Sequence, residues 1–365
     1  MVYRVIGLMS GSSLDGLDIA FATFQESSGK WQYELKASAC IPYDEHWKEM
    51  LTNAHDMSAI DYQLCHTSYG RYIGEQVNRF IASNGLDYQI QLIASHGHTV
   101  FHLPKHFLTT QLGEGAQIAA LTGINVVSDL RNMDLALGGQ GAPIVPIGEK
   151  LLLSEYDMFL NLGGIANISY SSPDRYIAFD VCPANRVLNL LSRQLDQDYD
   201  EDGRLASEGK VLDDLLNTLN QLEYYSQPYP KSLANNFGTE IIFPILHGSG
   251  HTKDLLRTYV EHIAMQVSNS AGDLIKGNQT GVPKRILVTG GGAHNRFLIS
   301  RLKELTKARG AEIVVPENQL IDFKEAIIMG LIGILRWREE NNVFASVTGA
   351  SRNSIGGAVW IGQEA

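Results

Sequence analysis

The chain has 365 residues, 44% apolar and 19% charged, with a formal net charge of −11. A chain this long outgrows one ordinary core and predicts two domains or lobes. Its acidic balance excludes a binder of the nucleic-acid backbone, which needs a basic face.

No apolar run reaches the ~18 residues that span a bilayer; the longest, AIIMGLIGILRW at 326–337, carries Arg336. The start, MVYRVIGLMSG, runs straight into a strand pattern without the features of a secretory leader. The cysteines Cys40, Cys65 and Cys182 are odd in number and lack metal-ligand spacing. Such thiols predict a reduced, cytoplasmic protein.

In chain order, YRVIGLM and LDIAFATF read as strands around a Gly/Ser/Asp turn, and WQYELKASACIPY supplies a third. Turns this short favour antiparallel neighbours. Helical periodicity runs from about Asp44 to Ser83, followed by a short buried strand QLIASHG, a helix near 114–122 and strand INVVSDL. The second part repeats this order. YDMFLNLGG and IANISYS flank a Gly-Gly turn, and DRYIAFDV is a third strand. After helices come strand KRILVT with the turn TGGGAHN, a helix, strand AEIVVP and a helix at 323–340. Helix–strand alternation of this kind predicts α/β layers, here as an internal duplication facing a cleft. The boundary is expected near LGGQGAPIVP (137–146), whose glycines and prolines interrupt regular structure. The tail ASVTGASRNSIGGAVW reads as loops and a closing strand.

Three Gly-rich turns follow apolar strands: MSGSSLDG (9–16), NLGGIAN (161–167) and TGGGAHN (289–295). Glycine lets backbone N–H groups approach an anion closely, so the three together point to a nucleotide. No P-loop lysine motif and no complete Rossmann fingerprint accompany them. Ser12 and Ser13 carry hydroxyls for phosphate, and Asp15 or Asp18 could serve Mg²⁺ through water; capping of the turn is the other use for these side chains. Asp180 leaves the strand RYIAFD, either to cap the following turn or to act as a general base. His96 and His98 are expected to flank a turn, with His102 beyond. They lack a metal-ligand set but could offer one substrate hydrogen bond. Arg131, in SDLRNMD, either holds a carboxylate bidentately or pairs with Asp129 and Asp134. Glu325 at the start of the last long helix suits the helix dipole.

Taken in order, GLMSGSSLDGLD, ASHGHTVFH, SDLRNMDLALGGQGAPIVP, NLGGIANIS, AFDVCPAN and TGGGAHN resemble the anhydro-N-acetylmuramic acid kinases, a family of the sugar kinase, Hsp70 and actin superfamily. The resemblance runs from about residue 5 to SVTGA at 346–350. It implies a two-lobed actin-like (ribonuclease H-like) α/β fold with duplicated cores around a central cleft. Lobe I would hold 1–135 and 341–365, and lobe II 136–340. ATP and Mg²⁺ would serve a reaction in which water opens the 1,6-anhydro ring and O6 takes the γ-phosphate, giving N-acetylmuramic acid 6-phosphate in cell-wall recycling.

By matching motif, Asp180 would activate the water. Gly11, Ser12, Ser13, Leu14, Asp15, Gly16, Leu17 and Asp18 would line the triphosphate, with Asp15 or Asp18 serving the metal. Gly163 and Gly164 would form the second phosphate turn, with Gly290, Gly291, Gly292 and Asn295 near the nucleoside. His96, Arg131, Asn185 and Glu325 would contact the sugar, Arg131 facing its lactyl carboxylate. A homodimer is implied as well. The sequence departs from the family where Val181-Cys182-Pro183-Ala184 replaces Thr-Gly-Pro-Gly, where His98 replaces glutamine, and where PKSLANNFGTE (230–240) lacks Thr-Gly after Lys-Ser. These departures leave open a different anhydrosugar, such as levoglucosan, or a nucleotide-binding relative without catalysis.

Overall fold

The computed structural model describes residues 1–11, 14–171, 176–229, 231–234, 236–276 and 282–362. β1 (Val2–Ser10), β2 (Gly16–Ser27) and β3 (Lys30–Pro42) form the expected antiparallel meander. β1 then pairs in parallel with β4 (Leu92–Leu103), which carries β5 (Leu108–Leu112) antiparallel to it and pairs in parallel with β6 (Val126–Ser128). The strand Ala358–Trp360 closes that edge, antiparallel to β6. Parallel neighbours need a crossover, and the helix Ala59–Ser83 supplies the one between β3 and β4.

Strand alternation sends Ile6, Leu8, Leu17 and Ile19 to one face, where they pack on Tyr69, Ile73 and Val77 of that helix. The opposite face meets the helix Asn318–Trp337 at unusually close range. A Cβ built at Gly7 would lie 1.8 Å from the Ala326 carbonyl oxygen, and one at Gly333 would lie 2.5 Å from the Ala94 Cβ. Glycine on both sides is what lets helix and sheet backbones touch.

The chain parts into two units, Met1–Ser154 with Phe323–Ala365, and Glu155–Asp322. Residues 136–154 and 323–340 therefore count with the first unit, not with the second as the sequence suggested. The reason is burial: Glu149 and Lys324, 4% and 5% exposed, pair at 3.0 Å, and a Cβ on Gly148 would strike Ile328. The glycine-rich stretch 137–146 is a bound loop and not a linker. The carboxylate of Asp134, 1% exposed, accepts the Gly141 N–H and the Thr348 hydroxyl, both at 2.7 Å. Thr348 also takes the Gln140 N–H on its carbonyl at 2.8 Å.

The second unit repeats the strand order of the first. β7 (Met158–Leu162), β8 (Ile165–Ser171) and β9 (Tyr176–Pro183) form a meander, and β10 (Lys284–Thr289) and β11 (Ala311–Val314) follow in parallel. The order β11-β10-β7-β8-β9 matches β6-β4-β1-β2-β3, so the duplication read from the sequence is present in the topology. The helix Thr252–Leu274 covers this sheet with Leu256, Tyr259, Val260, Ile263 and Val267, all fully buried.

Candidate active site

In the first unit, the turn between β1 and β2 is fixed from below. Ser10, the last residue of β1, is buried, and its Oγ lies 3.2 Å from His98 Nδ1 and accepts from the Tyr43 hydroxyl at 2.8 Å. Tyr43 has one hydroxyl proton, so Tyr69 must be the donor in their 2.5 Å contact. The chain thus runs Tyr69 to Tyr43 to Ser10 to His98, with His98 Nδ1 as terminal acceptor. Burial holds His98 neutral, its pKa down to about 4, and pushes Tyr43 up to about 12. The turn itself is tight. Leu14 adopts φ 58°, and a Cβ on Gly16 would lie 2.6 Å from the Ile41 carbonyl oxygen. Leu17 pairs with Ser10 and faces the core, whereas Asp18 pairs with Met9 on the opposite face. Asp15 sits on the turn, its Oδ1 accepting the Gly16 N–H at 3.0 Å. Gly11 accepts the Leu14 N–H. Ser12 and Ser13 lie outside the described residues.

His96 and His98 do not flank a turn. Both lie within β4, separated by Gly97 at φ 73°, with a register shift against β1 there. A Cβ at Gly97 would lie 2.3 Å from the Leu112 carbonyl oxygen, so the bulge is what admits β5. His96 is buried. Its Nδ1 faces the Gly97 carbonyl at 2.9 Å and must carry the ring proton, leaving Nε2 to accept from Arg131 Nε at 2.8 Å. Burial, and then the arginine charge, hold His96 neutral, its pKa down to about 3.

Arg131 also donates through Nη1 to the Gly141 carbonyl at 2.6 Å. Burial lowers its pKa to about 10, against the supporting charges of Glu325 and Asp134. Three of the four expected sugar contacts, His96, Arg131 and Glu325, therefore share one locality of the first unit. Within the chain, Arg131 donates its hydrogen bonds to an imidazole and a carbonyl, and the charges of Glu325 and Asp134 act on it from nearby.

The second unit gathers the remaining residues. Asn185 opens the helix Asn185–Ser192. Its backbone N–H donates to the Gly163 carbonyl at 3.0 Å, and its side-chain amide donates to the Leu162 carbonyl at 2.9 Å. Gly164 accepts the Ala184 N–H at 2.8 Å. Gly290, at φ 81°, must be glycine because a Cβ would meet Asn161 Oδ1 at 2.4 Å, and a Cβ on Gly292 would lie 3.0 Å from Asn185 Oδ1. Gly291 lies alongside, 3.6 Å from Asn185 Nδ2 by the same measure. The turns 163–164 and 290–292 are thus knitted together by Asn185. Asn295 is spent locally, capping the helix Arg296–Lys307 by accepting the Leu298 N–H at 2.9 Å.

Asp180 lies on β9, where a register shift at Ala166/Asn167 makes Val181 a bulge beside it. Such a bulge re-aims neighbouring side chains. Burial raises the Asp180 pKa, opposed by the Leu233 N–H, which donates to Oδ2 at 2.9 Å. Phe179, one residue back, points to the other face and stacks on Tyr229 at 5.3 Å. There it lines a cavity of about 700 Å³ with Tyr225, Lys231, Gln266 and Arg309, whose lining does not include Asp180. The sequence reading missed Tyr224, Lys231 and Leu233 around Asp180; their only signal was the motif Pro-Lys-Ser at 230–232. It also missed Tyr43 and Tyr69 beneath the first turn, since buried tyrosines carry no spacing signature.

A duplicated sheet order with a tight turn after the first strand of each half is the architecture of the sugar kinase and actin class. A family model described as anhydro-N-acetylmuramic acid kinase matches residues 3–362. Curated relatives of that name are 33% identical in Vibrio vulnificus, over 95% of both chains, and 32% identical in Hydrogenovibrio crunogenus, over 97% of both. The chain belongs to the anhydro-N-acetylmuramic acid kinase family. A solved structure, the activator of 2-hydroxyisocaproyl-CoA dehydratase from Clostridium difficile with bound ADPNP, aligns at TM-score 0.46 with 13% identity, covering 92% of this chain and 96% of that one.

Proposed function

We propose that this chain is an ATP-dependent kinase that opens 1,6-anhydro-N-acetylmuramic acid with water and phosphorylates O6. The observation that carries the reading is Asp180, a carboxyl with raised pKa pinned through one oxygen, in a chain of this family. With Oδ2 held by Leu233, Oδ1 takes a proton from the attacking water. The water oxygen bonds to the anomeric carbon as the bond from that carbon to O6 breaks. O6 then attacks the γ-phosphorus and ADP leaves. A general base supplies about 10²–10⁴-fold; positioning and electrostatics supply most of the rest.

The glycines of the turn 11–18 in the first unit would take the triphosphate; within the second unit, Gly163, Gly164 and Gly290–Gly292 leave backbone N–H groups open to an anion in the same way. Arg131, presented by His96 and the Gly141 carbonyl, would meet the lactyl carboxylate, with Glu325 beside it. For Mg²⁺, the carboxylates of Asp15 and Asp18 are hard oxygen donors at that same turn, which fits a cation held mainly by phosphates and water. When bound, it neutralises charge on the transferred phosphoryl group. Among the described residues no helix is long and apolar enough to cross a membrane. The ATP requirement and an odd number of cysteines without metal-ligand spacing support a cytoplasmic setting.

The test is the reaction in ¹⁸O-water followed by mass spectrometry of the sugar phosphate. Label should enter at the anomeric position, and Asp180→Asn should reduce turnover by at least about 10²-fold. Unlabelled product, or an unimpaired Asn variant, would reject the mechanism. Levoglucosan run in parallel decides the sugar: phosphorylation of it alone would overturn the muramic reading.

A further inference from the structure

We propose that Tyr224 and Lys231 are positioning residues for Asp180, docking the segment 231–233 on the edge of the sheet so that the Leu233 N–H fixes the carboxyl. The proposal rests on Asp180 being the base. β9 is an edge strand, so its outward N–H and carbonyl groups need partners from elsewhere. At Asp180 all of them come from one short stretch of chain. The Asp180 N–H donates to the Lys231 carbonyl at 3.2 Å, and the Tyr224 hydroxyl donates to the Asp180 carbonyl at 2.6 Å. Two residues beyond Lys231, the Leu233 N–H reaches the carboxyl itself.

Lys231 closes the circuit. Its ammonium donates to the Tyr224 carbonyl at 3.0 Å and lies 4.6 Å from the centre of the Tyr224 ring. One cation thus ties the helix Glu223–Ser226, which presents the tyrosine, to the segment that presents Leu233. Tyr224 is 8% exposed, whereas Lys231 is part-exposed and borders the cavity, so its contact with the ring lies between the exposed and the desolvated limits of a cation–π pair. The titratable groups facing Asp180 are Tyr224 from that helix, Cys182 from its own strand and Lys231 from the docked segment. Burial raises the first two and lowers Lys231. Tyr224 and Cys182 are therefore neutral near pH 7, and the Leu233 N–H is the contact that favours the ionised carboxylate.

The experiment compares Leu233→Pro, which deletes the N–H, with Leu233→Ala, which keeps it, alongside Tyr224→Phe, Lys231→Met and Lys231→Arg. Leu233→Pro, Tyr224→Phe and Lys231→Met should each lower kcat about 10-fold and leave the KM for ATP within about twofold. The acid limb of their kcat/KM profiles should move to higher pH. Lys231→Arg should restore most of the loss, and Leu233→Ala, which keeps the N–H, should lose less kcat than Leu233→Pro and shift the acid limb less. A readout independent of turnover is the carboxyl ¹³C titration of Asp180, assigned by difference from Asp180→Asn. Its midpoint should rise in Leu233→Pro, or in Tyr224→Phe should the proline chain fail to fold. Equal midpoints and equal acid limbs across the set, with Asp180→Asn inactive, would overturn the positioning role alone. Full turnover by Asp180→Asn would instead reject the base assignment beneath it.

Discussion

Asp180 shows what a base costs the protein that carries it. A folded-state pKa raised above that of the unfolded chain means that the fold disfavours the ionised form. That penalty is present above the folded pKa and vanishes below the unfolded value of about 3.9. Asp180→Asn, which can still accept the Leu233 N–H, should therefore raise the melting temperature near pH 7 while abolishing turnover. The gain should disappear in scans near pH 3. Asp134 has both carboxyl oxygens partnered, one by the Gly141 N–H and the other by the Thr348 hydroxyl. Asp134→Ala strands the Gly141 N–H and the Thr348 hydroxyl, at a cost of about 2–4 kcal/mol in urea unfolding. Because Gly141 is also the carbonyl partner of Arg131, its KM for the sugar should rise as well.

Among the elements, the pairing of β1 with the last helix has the least room to change. Gly7→Ala places a methyl against backbone, at 1.8 Å from the Ala326 carbonyl oxygen, and no side-chain rotation relieves that. It should cost about 3 kcal/mol or more, with loss of soluble protein as the first symptom. Gly85→Ala is the control: nothing lies within 4 Å of its Cβ, but φ is 62°, so only the left-handed penalty of about 1–2 kcal/mol applies. Strands and helices here were largely legible, because apolar alternation and periodicity are local properties. β4 was the exception. Its polar second half reads as a turn around Gly97, and only pairing with β5, from His98 opposite Leu112 to Leu103 opposite Leu108, keeps it extended.

On the scale of the whole molecule, three buried histidines link stability to acid. His96 and His98 in the first unit and His262 in the second are neutral in the fold, their pKa values lowered to about 3, 4 and 3 by burial. His262 is fully buried, donating through Nδ1 to Asn220 at 2.7 Å and accepting the Tyr225 hydroxyl at 3.0 Å. Depressed folded values contribute stability that is complete above the unfolded pKa of about 6.5 and is lost as pH falls towards 3–4. Each group adds up to about 1.4 kcal/mol per pH unit to the slope. Urea midpoints should hold between pH 7 and 8 and fall steeply below 6, and His262→Gln should flatten that fall.

The sequence by itself determined the duplicated strand order, the glycine turns and the family, because these rest on alternation, backbone freedom and motif spacing. Asp180 and Arg131 stood out as chemistry-bearing residues beside apolar strands, although β9 does not end at Asp180 as the sequence suggested but runs on to Pro183. Only the tertiary structure decided how they are held. The N–H that pins Asp180 comes from Leu233, fifty-three positions away, and the hydroxyl that steadies the loop beside Arg131 comes from Thr348, two hundred and fourteen positions from Asp134. It also placed residues 136–154 and 323–340 in the first unit, where a buried ion pair and backbone-close glycines join segments no local pattern connects. Partners so distant meet only after the sheets and helices have packed, and burial, which sets the charge states of this site, exists only in the packed chain.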